Sequence, residues 1–232
     1  MKVCVFSDIH GNGPAFNAAL CGIISEKADI NVFLGDLCGY YYDQLEIFLL
    51  LQTIPNLIAL KGNHDSLFLD IYHGDNNARR NYLRRYGKSM EQLLMSECYE
   101  LAAWLSNLPD SLILNNESVH LCHGSPWSPA DGYIYPDTTL DRFESEDASV
   151  FLLGHTHYPM HRKTGRKIII NPGSLGQPRH GGWPTYALVE LPLGSVEFRE
   201  VRYNIDPLYC QIDEVMENNP YLKEVLRRGS NE

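Results

Sequence analysis

The chain has 232 residues and a formal net charge of −10, from 19 basic and 29 acidic side chains. This balance disfavours an extended nucleic-acid surface or an anionic-membrane surface, because contacts with phosphate groups need Lys and Arg. Hydrophobic residues make up 44% of the chain and charged residues 21%, which is typical of a globular protein, and we expect one domain over residues 1–232.

The first part of the chain alternates short apolar runs with amphipathic stretches. Strands are predicted at residues 2–7, 30–34 and 57–60, and helices at residues 15–27 and 45–53. Such an alternation favours parallel strands joined by right-handed crossovers.

The rest of the chain changes character after a predominantly helical region at residues 66–108. Further strands are predicted at residues 111–114, 119–122, 150–153, 167–170, 185–190 and 196–203. Few helices separate them, which predicts a second sheet packed on the first. Residues 207–228 are predicted to be helical.

The six cysteines are scattered and form no C-x-x-C pair. Several lie in apolar, strand-like runs, where cysteine behaves as a small buried hydrophobe. The N-terminal MKVCVF resembles no signal peptide, and no apolar run approaches the roughly 20 residues that span a bilayer. We therefore expect a cytoplasmic protein with no membrane partner, and leave open whether it forms a homo-oligomer.

Seven residues of metal-binding types recur in five separate motifs that end predicted strands. They are Asp8 and His10 in SDIHGN, Asp36 in LGDLCGY, Asn63 in KGNHD, His123 in LCHGSP, and His155 and His157 in LGHTHYP. Open α/β sheets bind ligands at the carboxyl ends of their strands. Paired metals about 3.5–4 Å apart activate a shared water and stabilise the entering and leaving oxygens at phosphorus. The pattern therefore predicts a two-metal hydrolytic site.

Imidazole and carboxylate ligands together suit transition metals better than Mg²⁺ or Ca²⁺, which prefer oxygen ligands. We expect two divalent transition-metal ions, with Mn preferred and Fe, Zn, Ni or Co as alternatives. Asp36 is the natural bridging carboxylate, because it lies between the two ligand clusters in sequence. His64 remains as a candidate proton donor to the leaving oxygen, and Asp65 as the carboxylate that orients it and keeps it cationic.

In this order, D-x-H, G-D, G-N-H-D, H-G and G-H-T-H resemble the calcineurin-like metallophosphoesterase superfamily. The segments GDLCGY, HGSP, GHTHYP and INPGSLGQPR are similar to those of its small stand-alone prokaryotic members, which include phosphodiesterases and diadenosine-tetraphosphatase-like proteins. The resemblance implies an α/β fold, a four-layer α/β/β/α sandwich of two mixed β-sheets flanked by helices. It also implies a catalytic His64 and two sets of ligands. The sets are Asp8, His10, Asp36 and His157 for one metal, and Asp36, Asn63, His123 and His155 for the other.

The chain departs from relatives at two places. Many relatives have Arg after HGSP, where this chain has Trp127. The protein Ser/Thr phosphatases carry D-R-G after the bridging aspartate and G-N-H-E, whereas this chain has Cys38-Gly39 and Asp65 at those places. These differences disfavour a protein phosphatase.

These features predict a phosphoesterase that hydrolyses a small phosphodiester or nucleotide polyphosphate by in-line attack of a metal-bridging hydroxide. The alternatives are a phosphomonoesterase and a catalytically silent scaffold of the same fold, as in the retromer subunit that resembles this superfamily. Scaffold relatives tend to lose the catalytic histidine or some ligands, whereas this chain keeps His64 and all seven ligand candidates. A nuclease is disfavoured by the compact, acidic chain.

Substrate contacts are less specifically indicated. Arg179 can clamp phosphate oxygens or form a structural salt bridge, and His180 follows it in the same loop. The remaining candidates either contact substrate or pack a loop or a solvated helix face: Arg79, Arg80, Arg84, Arg85, Trp127, Tyr133, Tyr135 and the run at residues 40–42. Substrate choice is assigned to residues 70–100 and 125–145, which contain no interpretable motif.

Overall fold

Two five-stranded β-sheets form the centre of the molecule in the computed structural model, which describes residues 1–114, 118–192 and 195–228. The strands are β1 (Lys2–Phe6), β2 (Ile30–Phe33), β3 (Leu57–Ala59), β4 (Ser111–Leu114), β5 (Val119–Cys122), β6 (Val150–Leu153), β7 (Pro159–Thr164), β8 (Lys167–Pro172), β9 (Thr185–Glu190) and β10 (Ser195–Glu200). The helices are α1 (Gly13–Ser25), α2 (Gln44–Leu51), α3 (Asn63–Tyr72), α4 (Asn76–Tyr86), α5 (Ser89–Leu94), α6 (Tyr99–Asn107), α7 (Asp206–Glu214) and α8 (Tyr221–Arg227), with a 3₁₀ helix at Asp141–Ser145.

Both sheets are mixed. The first has the order β10-β9-β1-β2-β3, in which β1, β2 and β3 are parallel and β9 and β10 run antiparallel to their neighbours. The second has the order β4-β5-β6-β8-β7, with β5, β6 and β8 parallel and antiparallel strands at both edges. The predicted strand–helix alternation in the first part of the chain and the predicted second sheet are thus confirmed.

The alternating side chains of each central strand pack into two different cores, because successive residues of a strand point to opposite faces. In β1, Val3 and Val5 pack between the sheets, whereas Cys4 and Phe6 pack under the helices. The outer face of the second sheet is covered by the 3₁₀ helix, through Phe143, and by its flanking loops. The implied sandwich of two mixed sheets flanked by helices is confirmed. Its fourth layer consists of the 3₁₀ helix and the loops that flank it.

The predicted helical region at residues 66–108 forms four separate helices, α3 to α6. The break before α4 has a local cause, since the Asp75 carboxylate accepts hydrogen bonds from the backbone N–H groups of Asn77 and Ala78 and caps the new helix. The predicted C-terminal helix is likewise divided, into α7 and α8. No helix among the described residues is long and apolar enough to cross a membrane.

Strand β7 and the 3₁₀ helix are not predicted by the sequence analysis. Strand β7 lies at the edge of the second sheet, and Met160 is its one buried residue. The strand therefore lacks the apolar alternation by which half-buried strands are recognised.

The C-terminal helices pack against the loop that follows β2 and against the end of α4. The Tyr41 hydroxyl donates to the carbonyl of Leu222 at 3.0 Å. The Lys88 ammonium, just beyond α4, donates to the carbonyls of Val215 and Met216 at 3.0 and 2.7 Å. These contacts fix α7 and α8 beside the carboxyl end of the first sheet.

Candidate metal centre

Five parallel strands deliver the candidate ligands to one edge of the sandwich. Strands β1, β2 and β3 of the first sheet are followed by Asp8, Asp36 and Asn63. Strands β5 and β6 of the second sheet are followed by His123 and His155. Because the carboxyl ends of parallel strands lie at the same edge, side chains that are distant in sequence become neighbours.

Five of the seven candidate ligands have left-handed backbone conformations. Their φ angles lie between 51° and 66°: Asp8, His10, Asp36, His155 and His157. Positive φ is uncommon for non-glycine residues and costs about 1–3 kcal/mol each, so such residues cluster where a site requires them. Backbone hydrogen bonds between the loops hold this conformation, among them Asp8 N to Gly35 O and His10 N to Asp36 O, both at 3.0 Å.

The ligand atoms form two compact groups. Within each group the side-chain ligand atoms lie within 4.8 Å of one another, and all the side chains are buried. The first group is Asp8, His10 and His157, and the second is Asp36, His123 and His155. Asn63 adjoins the second group, because its Oδ1 lies 3.1 Å from Nε2 of His123. The structure therefore brings together all seven predicted ligands.

The two oxygens of Asp36 face different partners. Oδ1 accepts a hydrogen bond from the backbone N–H of His64 at 2.8 Å. Oδ2 lies 3.6 Å from Nε2 of His10 in the first group and 3.3 Å from Nε2 of His123 in the second. This Asp36 oxygen thus lies close to both groups, and Oδ1 of Asp8 also reaches both, at 3.2 Å from Nε2 of His157 and 3.9 Å from Nε2 of His123.

Backbone carbonyls set the orientation of three imidazole rings. The Nδ1 atoms of His10, His123 and His157 donate to the carbonyls of Cys38, Leu34 and Gln177 at 2.9, 2.9 and 2.7 Å. A carbonyl only accepts, so the proton of each neutral ring is on Nδ1 and the lone pair of Nε2 points into the site.

These lone pairs face one another and the carboxylates. Nε2 of His10 lies 3.1 Å from Nε2 of His157, which lies 3.2 Å from Oδ1 of Asp8. Ligands that bind one ion at about 2.0–2.2 Å approach one another to about 3 Å, so this spacing fits a shared cation.

The electrostatics of the site also favour cations. Burial lowers the pKa of His123, but the carboxylates of Asp36 and Asp8 outweigh it and raise the pKa to about 10. Oδ1 of Asp8 and Nε2 of His155 are buried without a hydrogen-bond partner in the described parts of the chain. A buried acceptor without a hydrogen-bond partner requires a proton or a cation. The nitrogen and oxygen ligand atoms of the site fit divalent transition metals.

Asp65 braces the loop that carries Asp36. Its Oδ2 accepts from the backbone N–H groups of Asp36 and Gly62 at 2.8 and 3.0 Å, and its Oδ1 from that of Cys38 at 2.9 Å. Both oxygens are thus engaged with backbone. The expectation that Asp65 orients the His64 ring is corrected, because helix α3 directs this carboxylate back toward the loop after β2.

His64 lies in an aromatic environment. Its ring centroid is 4.9 Å from those of Tyr40, Tyr86 and His10, and its Nδ1 has no hydrogen-bond partner among the described residues. Burial, assisted by neighbouring histidines, lowers the pKa of His64 to about 4. The lowered pKa favours a neutral His64 ring, so the surrounding protein groups do not support the expected cationic ring.

A further brace comes from the loop after β8, in the segment INPGSLGQPR. Ser174 Oγ donates to the Asp8 carbonyl at 2.8 Å, and Asn171 Nδ2 donates to the Gly154 carbonyl at 2.6 Å. A Cβ atom at Gly176 would lie 1.9 Å from the carbonyl oxygen of Ile9, so only glycine permits this close approach. Sequence reasoning did not assign these roles, although the segment itself was singled out.

The comparisons with known proteins agree with this geometry. Residues 1–192 match the calcineurin-like phosphoesterase superfamily domain. The chain belongs to the calcineurin-like phosphoesterase superfamily. Its members are metal-dependent, and the chain is a hydrolase that acts on phosphoric ester bonds. The predicted membership and enzyme class are confirmed.

Among the proteins similar to this phosphoesterase are three prokaryotic ones. An uncharacterized protein of Methanocaldococcus jannaschii is 28% identical over 90% of this chain and 91% of its own. The phosphodiesterase YfcE of Escherichia coli is 24% identical over 84% of this chain and 91% of its own. The crystal structure of a metallophosphoesterase from Sphaerobacter thermophilus has a TM-score of 0.81 and 26% identity, covering 98% of this chain and all of that one.

Four candidate ligands of the phosphoesterase line a small pocket of about 90 Å³: Asp36, Asn63, His155 and His157. Besides ligands, its lining includes Tyr40, His64, Arg85, Tyr86, Tyr133 and Arg179. Of the two predicted substrate contacts, Arg179 therefore reaches the pocket. His180 is exposed and is not among the lining residues.

Some of the other substrate candidates line the pocket, and others pack elsewhere in the molecule. Trp127 packs on Phe143, and the guanidinium of Arg142 lies over the Trp127 ring, 4.1 Å from the ring centroid. The contacts of Trp127 are therefore structural. Tyr133 lines the pocket, with its ring centroid 4.2 Å from that of His155. Tyr40 also lines the pocket, whereas Tyr41 packs on the C-terminal helices.

Proposed function

We propose that this protein is a dinuclear-metal-dependent phosphoesterase that hydrolyses a small phosphodiester or a nucleotide polyphosphate. The observation that carries the proposal is the position of Asp36 Oδ2, 3.6 Å from Nε2 of His10 and 3.3 Å from Nε2 of His123. An oxygen so placed can belong to both groups of ligands and hold two ions side by side.

The proposed ligand sets follow the two groups, with Asp36 shared between them. One ion would be held by Asp8, His10, Asp36 and His157, and the other by Asp36, Asn63, His123 and His155. Two divalent ions, with Mn preferred, would supply an activated water for in-line attack and would neutralise charge on the phosphate.

The other residues of the pocket bind and orient the phosphate in this proposal. Arg179 presents a guanidinium, which is suited to two phosphate oxygens. His64 stands on the same wall as a neutral imidazole and would donate a hydrogen bond to a phosphate oxygen or to the leaving oxygen.

A phosphodiester is preferred to a monoester because the curated relatives include a phosphodiesterase. A small substrate is supported by the volume of the pocket and by the net charge of −10, which disfavours long anionic polymers. The six cysteines are free, which supports a reducing cytoplasmic compartment.

The test is hydrolysis of bis-p-nitrophenyl phosphate and of p-nitrophenyl phosphate by chelated protein, before and after addition of Mn²⁺. We expect no turnover without metal and restored turnover of the diester with Mn²⁺, together with two ions per chain by elemental analysis. Turnover of the monoester alone would replace the proposal with a phosphomonoesterase. Two bound ions without turnover of either ester would favour the scaffold alternative.

A further inference from the structure

A second, larger cleft adjoins the pocket of the candidate ligands. It has a volume of about 330 Å³ and is lined by Tyr40, Arg85, Tyr86, Arg179, Asn219 and Tyr221. The first four of these residues also line the small pocket. A molecule whose phosphate lies at the candidate ligands can therefore extend directly into this cleft, where two arginines meet aromatic rings.

Arg179 is a largely buried cation whose hydrogen-bond partners are neutral. Its Nη2 donates to the Tyr40 hydroxyl at 3.2 Å and to Oε1 of Gln177 at 3.3 Å. Its Nε is buried and has no partner, and Arg179 forms no ion pair with a carboxylate among the residues that the structure describes. A buried guanidinium in this state is stabilised by an anion that accepts its free N–H groups.

Arg85 differs from the other arginines of α4. Arg79 is paired with Glu91, and Arg80 and Arg84 are hydrogen-bonded to asparagines of the same helix. The Arg85 guanidinium lies 5.0 Å from the ring centroid of Tyr86, and Arg85 is a lining residue of both cavities.

The end of α4 is held firmly where it meets the cleft. Asn219 Nδ2 donates to the backbone carbonyl of Arg85 at 3.2 Å, so the segment between α7 and α8 fixes this turn. The Tyr86 ring is also fixed, with its centroid 5.4 Å from that of Tyr40 and 4.9 Å from that of His64.

We propose that Arg85 and Arg179 bind a second phosphate of the substrate, next to the phosphate that is cleaved, and that Tyr86 and Tyr221 receive a flat ring linked to it. The substrate class is then a nucleoside polyphosphate rather than a diester with one phosphate. This inference rests on the proposed function and narrows it. Two guanidinium groups suit an anion, and tyrosine rings suit stacking with a base.

The first test compares two substrates of the Mn²⁺-loaded, full-length protein. Diadenosine tetraphosphate carries neighbouring phosphates and bases, whereas bis-p-nitrophenyl phosphate carries one phosphate. We expect the ratio of their kcat/KM values to fall about tenfold or more in Arg85→Ala, because a charge-assisted contact is lost. Arg179→Gln should lower kcat/KM for both substrates, because Arg179 also lines the pocket where the cleaved phosphate binds. The matched control is Arg84→Ala, which removes an exposed arginine of the same helix that lines neither cavity, and should leave the ratio within about twofold.

The outcomes separate this inference from the proposed function. An unchanged ratio in Arg85→Ala, or an equal fall in Arg84→Ala, overturns the second phosphate site. Hydrolysis of bis-p-nitrophenyl phosphate without hydrolysis of diadenosine tetraphosphate also overturns it, but leaves the proposed function intact. Hydrolysis of neither substrate, with metals bound, overturns the proposed function.

A binding measurement tests the cleft independently of turnover. Calorimetric titration of chelated protein with adenosine diphosphate should give an affinity about tenfold weaker in Arg85→Ala than in Arg84→Ala. Equal affinities in the two variants would refute the role of Arg85. Because Arg85 is exposed, its truncation leaves the fold in place, which circular dichroism verifies.

Discussion

Asp36 and His64 are joined by a hydrogen bond, yet their proposed roles differ. The Asp36 carboxylate faces both groups of ligands, whereas the His64 ring lines the pocket beside them. We expect Asp36→Asn to lower metal affinity about 100-fold or more and to abolish turnover, because an amide is a poor bridging ligand. His64→Gln should keep both ions and lower kcat about 10²–10⁴-fold.

Elemental analysis and turnover of bis-p-nitrophenyl phosphate measure the two effects separately. Normal metal occupancy in Asp36→Asn would contradict the bridging assignment. Loss of metal in His64→Gln would show instead that this ring supports the ligands.

Asp65 provides a prediction about stability rather than chemistry. Its carboxylate accepts three backbone N–H groups, and an amide nitrogen in place of either oxygen would meet a donor instead of an acceptor. We expect Asp65→Asn to lower the free energy of unfolding by about 3 kcal/mol. Urea denaturation measures the change, with Asp70→Asn as the control on an exposed position of the same helix. An equal effect of both substitutions would contradict the bracing role.

Helix α4 is tied to the loop that follows β2. Its buried Tyr82 hydroxyl accepts from the backbone N–H of Tyr40 at 2.9 Å and is 2.9 Å from Oγ of Ser89. Tyr82→Phe leaves the Tyr40 N–H without its partner, so we expect a loss of about 1–3 kcal/mol in the free energy of unfolding. Thermal and urea denaturation measure the loss. The control Tyr72→Phe alters a partly exposed ring on α3 and should change stability by about 0.5 kcal/mol or less.

The elements were predictable where local chemistry and tertiary packing agree. The unit β1–α1 was predicted because an apolar strand, a Gly-Asn-Gly-Pro turn and an amphipathic helix follow one another. Strand β7 was not, because its edge position buries little more than Met160. Helix breaks within residues 66–108 depend on caps such as Asp75, which a hydrophobic pattern does not register.

The candidate ligands could be predicted because each follows a strand, and parallel strands end together. The surroundings could not, because they depend on long-range packing. Arg85 looks the same as Arg79, Arg80 and Arg84 in the sequence, and only the docking of α4 through Tyr82 and Tyr86 places it at the pocket. Asp65 likewise looked like a partner for His64 until the direction of α3 was known.

Across the whole molecule, the packing of one sheet on the other determines how firmly the two ligand groups are held in register. Leu121 on β5 is fully buried between the sheets, whereas Ile113 on the neighbouring β4 is 52% exposed. Leu121→Ala should lower the free energy of unfolding by about 2–5 kcal/mol, because it leaves a cavity. Ile113→Ala should lower it by less than about 1 kcal/mol. Urea denaturation compares them, and equal losses would contradict this account of the core.

The superfamily match ends at residue 192, whereas Asn219 and Tyr221, which complete the larger cleft, come from the chain beyond it. The candidate ligands all precede that point. Mutations in the last forty or so residues can therefore reshape what enters the cleft while leaving the ligands untouched. The larger cleft thus combines four residues of the matched segment, Arg85 and Arg179 among them, with two side chains from beyond it.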